Sequence, residues 1–440
     1  MSKKNTKKIS SLRGMRDILP KHYVYWDKIH GVVEKLAQSF GYKRIELPII
    51  ESTNLFERTV GQGTDIVEKE MYTFYTKSKE RVTLRPEFTA SIARAFIENG
   101  MRRWPKPVKL FSIGPLFRYE RPQQGRYRQH HQINFEALGG ADPILDAQVI
   151  LLAYFIIKKS GVKNIKLLIN SIGCPVCRRP YLRSLVSFLK SNSRALCLDC
   201  KKRLKKNPLR VLDCKEEKCQ PIINGAPQLI NSLCEQCHPH FKQLLEYLDE
   251  LNLEYMIDPA LVRGLDYYTK TVFEFISSGE QSRNKYSFGG GGRYDELVKT
   301  LGGPITPAIG FGIGLDRLAL ELEKNDQKKA PKKPAGAFNS RELKNIVFLV
   351  QLGDLGKKRS LFLFHELVKS NIQVSESFQK GSIKSQLKSA NSAKAKLALI
   401  IGQKEALDQT AIIRNMEVGS QETIPQHKLI SQIKKIFRKK

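Results

Sequence analysis

Arg118, Arg121, Arg126 and Arg128 crowd one short stretch that also carries Glu120 and Gly125. A guanidinium fork matches phosphate oxygens two at a time, so this stretch suits a polyphosphate or an RNA backbone. His130, Gln132, Asn134 and Glu136 then recur at every second position, which puts four polar groups on one face of a strand. Further along, Arg263-Gly264-Leu265-Asp266-Tyr267-Tyr268 sets an arginine in a glycine-bearing turn beside two phenols. Such a pair can hold a small planar ligand by ring face and hydroxyl. Gly289 to Gly292 give up all side-chain bulk, so a ligand can approach the backbone there. The run lacks the Lys-Ser/Thr ending of a P-loop and the spacing of a dinucleotide fingerprint. Asp316-Arg317 fall in the first turn of a predicted helix, where a helix N-terminus and a guanidinium can both face an anion.

The eight cysteines are confined to the stretch from Cys174 to Cys237. They fall into the pairs Cys174/Cys177, Cys197/Cys200, Cys214/Cys219 and Cys234/Cys237. Three pairs have the Cys-x-x-Cys spacing that lets two thiolates reach one tetrahedral zinc, and eight ligands can close two structural sites. Which four form each site is open at this level. Without a secretion signal the expected compartment is the cytoplasm, where clustered thiols point to metal before disulfides.

These groups need a scaffold. Trp26, Ile29, Val33, Leu36 and Phe40 draw one apolar stripe along a helix that Gly41 can end, and residues 42–50 alternate as a strand up to Pro48. A strand end at residues 83–86 leads into a helix carrying Phe88, Ile92 and Phe96. Residues 108–121 and 130–138 read as an antiparallel hairpin across a polar loop, which puts Arg118 and Glu120 on one face of the outgoing strand. A helix at 143–160 and a strand at 165–169 precede the cysteine-bearing stretch, and strands at 271–276 and 284–289 follow it. The expected organisation is a basic arm (1–12), a catalytic core in two parts (13–171 and 253–325), an inserted Cys-rich module (172–252), a polar, proline-bearing linker (326–344) and a small α/β domain (345–440).

The chain has 440 residues and a net charge of +32 from 75 Lys+Arg and 43 Asp+Glu, which points to a polyanionic partner, nucleic acid before membrane. The longest apolar run, Val149 to Ile157, is about half of what spans a bilayer, so an integral membrane protein is excluded.

Taken together, these residues resemble the bacterial-type histidyl-tRNA synthetases, a class II aminoacyl-tRNA synthetase family. The resemblance rests on Arg13-Gly14-Met15-Arg16-Asp17, Thr83-Leu84-Arg85-Pro86-Glu87, Phe117 to Gln132, Leu261 to Tyr268, Gly291 to Asp295 and Gly310 to Leu318. It implies an α+β catalytic domain on an antiparallel sheet flanked by helices, and a C-terminal α/β anticodon-binding domain that includes Gly381 to Lys388 and Ile400-Ile401-Gly402. The stretch from Gly41 to Glu51 resembles class II motif 1, implying a homodimer.

By the same resemblance, Glu87 and Thr89 hold the amino group of histidine beside Phe88, which narrows that pocket. Gln132 and Glu136 position the amino acid, while Tyr267, Tyr268 and Tyr294 also contact it. Arg118 takes the α-phosphate and carboxylate, and Arg263 stabilises the α-phosphate during attack. Glu120, Arg126 and Arg317 bind ATP, with Mg²⁺ on the polyphosphate. The implied reaction is adenylation of L-histidine followed by transfer to the terminal adenosine of tRNA(His). The main rival is the synthetase-like regulatory subunit of ATP phosphoribosyltransferase. That paralogue lacks the C-terminal domain and the Arg-Gly-Leu-Asp-Tyr-Tyr run, both of which this chain keeps.

Overall fold

The computed structural model describes residues 9–277, 287–329, 345–377 and 382–438. The chain divides into two compact units, Met1–Lys333 and Pro334–Lys440. In chain order the strands of the first unit are β1 (Lys43–Arg44), β2 (Ile50–Ser52), β3 (Tyr72–Tyr75), β4 (Arg81–Leu84), β5 (Val108–Phe117), β6 (Gln129–Leu138), β7 (Ile165–Ser171), β8 (Tyr255–Ile257), β9 (Thr269–Ser277), β10 (Ser287–Arg293) and β11 (Ala308–Gly314). Eight of them form one sheet in the order β1-β5-β6-β11-β10-β9-β7-β8. The interior pairings are antiparallel, and only the edge pairs β1/β5 and β7/β8 are parallel.

The two faces of this sheet differ because its strands alternate. On one face Phe111, Phe135 and Phe311 stack across β5, β6 and β11 with ring centroids 5.2 Å apart at each step, a geometry that adds about 0.5–1.5 kcal/mol per pair beyond area burial. Helices cover that face. Pro20–Ser39 buries Trp26, Ile29, Val33 and Leu36, and Pro143–Ser160 buries much of the Val149–Ile157 run. Cys237–Glu250 adds Phe241, Leu244 and Leu248, and Leu315–Lys329 adds Leu318 and Leu322. The opposite face carries the polar side chains of β6 and forms the floor of a pocket.

Several expectations change. Residues 42–50 do not make one strand: β1 ends at Arg44, and the carbonyls of Leu47 and Pro48 instead accept hydrogen bonds from the buried Arg85 guanidinium at 2.6 and 3.2 Å. β2 belongs to a separate three-stranded sheet, β2-β4-β3. The outgoing hairpin strand stops at Phe117, so Arg118 and Glu120 stand in the loop that follows rather than on a strand face. The strand expected to end at residue 289 runs on to Arg293, so Gly289 to Gly292 are the middle of β10, paired with a neighbouring strand on each side. Residues 284–286, within the strand expected at 284–289, lie outside the described residues. The helix beginning at Leu315 continues to Lys329, into the stretch of linker composition. The rest of that stretch, residues 1–8 of the arm and Gly381 lie outside the described residues.

The second unit holds a mixed five-stranded sheet of β12 (Ile346–Gln351), β13 (Gln373–Glu376), β14 (Leu397–Ile401), β15 (Thr410–Asn415) and β16 (Gln421–Pro425). Its order is β13-β12-β14-β15-β16, with β13, β12 and β14 parallel. Val347 and Leu349 face the helices Gly353–Lys369 and Leu429–Arg438, while Ile346, Phe348 and Val350 face Ile383–Ser392.

Candidate active site

The polar face of β6 and β11 is roomy because β11 alternates glycine with large residues. A Cβ at Gly310 would overlap the Glu136 carboxylate, and one at Gly312 would overlap the Gln132 amide. Glycine at both positions lets these side chains lie across the sheet. Above them opens a cavity of about 250 Å³. Its walls include Glu87, Phe88, Thr89, Arg118, Glu120, Arg126, Gln132, Tyr267, Tyr268, Arg263 and Arg317. Glu136 and Tyr294 do not reach its surface; they are 1% exposed each and form the layer beneath.

That layer is a closed hydrogen-bond network. Glu136 accepts from Thr89 Oγ1 at 2.6 Å, from Asn134 Nδ2 at 2.7 Å and from the Tyr294 hydroxyl. Burial nonetheless pushes Glu136 up to about 8. Glu87 precedes the helix Thr89–Glu98 and accepts the backbone N–H groups of Thr89 and Ala90 at 2.6 and 2.8 Å, satisfying donors that a helix start leaves orphaned. Burial raises Glu87 as well, against those bonds. Two buried carboxyls whose charged forms are disfavoured by burial form a site that gains from an arriving cation.

The cationic side is tethered mainly through backbone carbonyls. Arg118 Nε donates to Pro86 O at 2.9 Å, and Arg317 donates to Gly125 O at 3.2 Å and Ser287 O at 2.5 Å. Arg126 lies 3.6 Å from Glu120. Arg263 Nη1 donates to Glu274 Oε1 at 3.2 Å, while its buried Nε has no protein partner. Burial, with Arg118 next in effect, drives His130 down to about 3, so its ring is neutral on this wall.

Some residues were named in the sequence without a role in the site, and the structure supplies one. Asp316 accepts the His131 backbone N–H at 2.6 Å and Arg16 at 2.8 Å. The Arg16 guanidinium also lies over the Tyr127 ring at 4.2 Å. The Arg128 N–H donates to Gly14 O at 2.8 Å, so the arginine-bearing loop is pinned by the segment around Gly14. Arg293, within the Gly-Arg-Tyr-Asp run, is fully buried and does not line this pocket. It bonds Asp146 at 2.8 Å, Asp295 at 3.1 Å and the carbonyls of Gly140 and Asp142. The signal available was the run Arg293-Tyr294-Asp295 itself, whose alternation sends Tyr294 toward Glu136 and Arg293 the other way.

The cysteines nest. Cys174, Cys177, Cys234 and Cys237 form one group and Cys197, Cys200, Cys214 and Cys219 the other, with all sulfurs of a group within 4.8 Å of one another. Neighbouring Sγ atoms stand 3.8 Å (Cys174/Cys177, Cys174/Cys234) and 3.9 Å (Cys197/Cys214) apart. The edge of a tetrahedron with about 2.3 Å zinc–sulfur bonds is about 3.8 Å. Backbone amides of Cys234, Cys197 and Cys200 donate to Cys177, Cys219 and Cys197 sulfurs at 3.1–3.3 Å, the support that thiolate ligands take from surrounding backbone. Burial raises Cys234, but hydrogen bonds from Cys177 and nearby amides draw it down to about 6. The donor set and its geometry therefore fit two tetrahedral metal sites.

Comparison with known proteins bears on the whole chain. The family described as histidyl-tRNA synthetase matches residues 14–175 and 217–318, and the anticodon binding domain matches residues 357–436. The stretch 176–216, with most of the second cysteine group, falls between the two matched segments. A histidine–tRNA ligase of Halothermothrix orenii is 44% identical over 430 residues, covering 97% of this chain and 99% of the relative. One of Dehalococcoides mccartyi is 44% identical over 425 residues, with the same coverage. The solved structure of apo S. aureus histidyl-tRNA synthetase superposes with a TM-score of 0.78 at 34% identity, covering 97% of this chain and 100% of that one.

Proposed function

The chain belongs to the histidyl-tRNA synthetase family, and from that premise we infer that it is an aminoacyl-tRNA ligase that activates L-histidine with ATP and transfers it to tRNA(His). The observation that carries this reading is one pocket in which Arg118, Arg126, Arg263 and Arg317 meet Glu87, Gln132, Tyr267 and Tyr268. Against the regulatory paralogue stand the anticodon binding domain match at residues 357–436 and the run Arg263 to Tyr268.

Glu87 and Thr89 take the α-ammonium of histidine, whose charge repays the cost of ionising a buried carboxyl. Gln132 and the tyrosines orient the amino acid, and Glu136 with Tyr294 holds Thr89 and the floor in place from beneath. A carboxylate oxygen of histidine then attacks the α-phosphorus, the bond to the bridging oxygen breaks, and pyrophosphate leaves. Negative charge builds on the phosphoryl oxygens, so Arg118 and Arg263 act as fixed electrostatic stabilisers rather than proton carriers. Arg126 and Arg317 bind the outer phosphates. Mg²⁺ supplies further neutralisation of the polyphosphate when bound, and Glu120 and Glu274 on the pocket wall are oxygen donors of the kind it takes. A hydroxyl of the terminal adenosine of tRNA(His) finally attacks the histidyl carbonyl, and AMP leaves.

Zinc is the metal the two Cys₄ groups suit, in a structural role, because each group is closed with four thiols. A homodimer is supported by exposed apolar residues on the first helix and on or beside the small sheet, among them Tyr23, Ile49, Ile50, Phe74 and Tyr75. Among the described residues no helix is long and apolar enough to cross a membrane. We assign the chain to the cytoplasm, where its thiols stay reduced. The test is aminoacylation: labelled histidine should appear on tRNA(His) in the presence of ATP and Mg²⁺, and a folded protein that charges no tRNA with histidine would overturn the reading.

A further inference from the structure

The turn Arg263–Tyr268 presents Arg263, Tyr267 and Tyr268 to the pocket, and its other polar groups are gripped largely by the cysteine-bearing segment. Asn207 Nδ2 donates to Asp266 Oδ1 at 2.6 Å, and Arg178 Nη2 donates to the Tyr268 carbonyl at 2.7 Å. The Arg210 guanidinium stands 3.2 Å from where a Cβ on Gly264 would be, so any side chain there would push against it. The same segment holds the loop 61–70, whose Ile66 lines the pocket. Arg203 and Arg210 reach Asp65 at 3.2 and 3.4 Å, and Lys206 reaches Glu68 at 2.6 Å. The two gripped loops are also tied to each other, since the Asp266 N–H donates to Val60 O at 3.1 Å and its carboxylate lies against Gly61.

Each gripping residue lies close to a thiol in sequence. Arg178 follows Cys177, Arg203 and Lys206 lie on the helix Leu198–Lys206 that starts beside Cys197 and contains Cys200, and Arg210 precedes Cys214. That helix has nine residues, many of them lysine, too short and too self-repelling to persist by itself. Its N-terminal end carries two thiols of the second group, Cys197 at the cap and Cys200 inside the helix.

We propose that the cysteine-bearing segment is an outer clamp on the catalytic turn, with Asn207, Arg210 and Arg178 as positioning residues for histidine activation and the metal-bound thiol groups as the joints of the clamp. The joints rest on the zinc reading above, whereas the clamp itself rests on the contacts alone. Ion pairs that are still partly open to solvent contribute little to stability. Their effect lies in geometry, because misplacing a reacting group by about 1 Å can cost about 10²-fold in rate. Loss of metal should therefore slow adenylate formation in a protein that remains folded.

The test uses the full-length chain and two variants. Asn207→Asp sets a carboxylate against the Asp266 carboxylate, and the double variant Asn207→Asp/Asp266→Asn restores one donor and one acceptor in reversed order. At pH 8 the single variant should lose about 10–10²-fold in the single-turnover rate of histidyl-adenylate formation, with its melting temperature unchanged, and the double variant should recover most of the loss. A single variant with the wild-type rate, or a loss that the swap does not recover, overturns the clamp. For the joints, hydrogen exchange of wild type is followed before and after zinc is removed with a chelator, its departure confirmed by elemental analysis. Amides of 262–268 and 61–70 should exchange faster while those of β6 and β11 do not change. Unchanged exchange in both loops, or protein that never carried zinc, refutes the joints independently of the swap.

Discussion

Arg263 is where charge stabilisation can be isolated from binding. Its Nη1 is committed to Glu274 at 3.2 Å, its Nε has no protein partner, and the two side chains are 21% and 24% exposed. Because the pair is partly solvated, breaking it should cost the resting protein no more than about 1 kcal/mol. On the reading proposed above, the rest of the guanidinium is what a phosphoryl oxygen would meet as charge develops on it. Removing one such donor typically costs about 3–4 kcal/mol of barrier, or 10²–10³ in rate. Arg263→Ala should thus lower the single-turnover rate of adenylate formation by about 10²–10³, while histidine affinity and melting temperature change little. Arg263→Lys keeps a charge for Glu274 but not the fork, so it should recover only a small part of the rate. Rapid-quench measurement of histidyl-adenylate in the presence of saturating ATP separates the two effects. A wild-type rate in either variant would refute the assignment, and a loss confined to histidine affinity would make Arg263 a binding residue only.

Three other outcomes follow from buried groups. Glu136 is raised by burial from 4.5 to about 8, so its contribution to stability is fully present below about pH 4.5 and is lost as pH rises through about 8, at about 1.4 kcal/mol per unit. Glu136→Gln should accordingly gain in melting temperature relative to wild type between pH 5 and 9, and a difference independent of pH would contradict this. Asp146→Asn leaves the fully buried Arg293 without its main counter-charge and should cost about 3–5 kcal/mol in denaturant unfolding; an unshifted midpoint would show the pair to be dispensable. Protein purified without chelators should contain two zinc ions per chain, and Cys200→Ser should lower that to about one because the two groups share no ligand. Loss of both ions in that variant would mean the groups do not bind independently.

Alternation along β6 was enough to place Gln132 on the pocket side and Phe135 in the core, since the faces of a strand are set locally. The same rule overran at Arg118 and Glu120, because the end of a strand depends on its partner and β6 pairs only from Gln129. Of the small sheet β2-β4-β3 only the strand end at residues 83–86 was legible, for a related reason: its strands are three or four residues long and bury little. The four glycines of β10 were read only as a backbone open to a ligand, with the strand ending at residue 289. They are required in a strand whose neighbours approach closely, as at Gly290, where a Cβ would come 3.0 Å from Arg263 Nη1. Cysteine spacing revealed the pairs but not their nesting, which depends on how β7 and the helix Cys237–Glu250 bring the ends of the segment together. Arg293 was given no role in the sequence. It lies in a run shared with a pocket-side tyrosine, yet its partners Asp146 and Gly140 are about 150 residues away in sequence, and nothing local announces such a pair.

The central claim is that this pocket joins the carboxylate of histidine to the α-phosphate of ATP. Amino-acid-dependent exchange of labelled pyrophosphate into ATP reads that step alone, without tRNA. The account predicts exchange with L-histidine and Mg²⁺, none with the other amino acids, and a loss of about 10²–10³ in Arg263→Ala. A folded, Mg²⁺-supplied protein that shows no histidine-dependent exchange, or exchanges equally well with another amino acid, would contradict it.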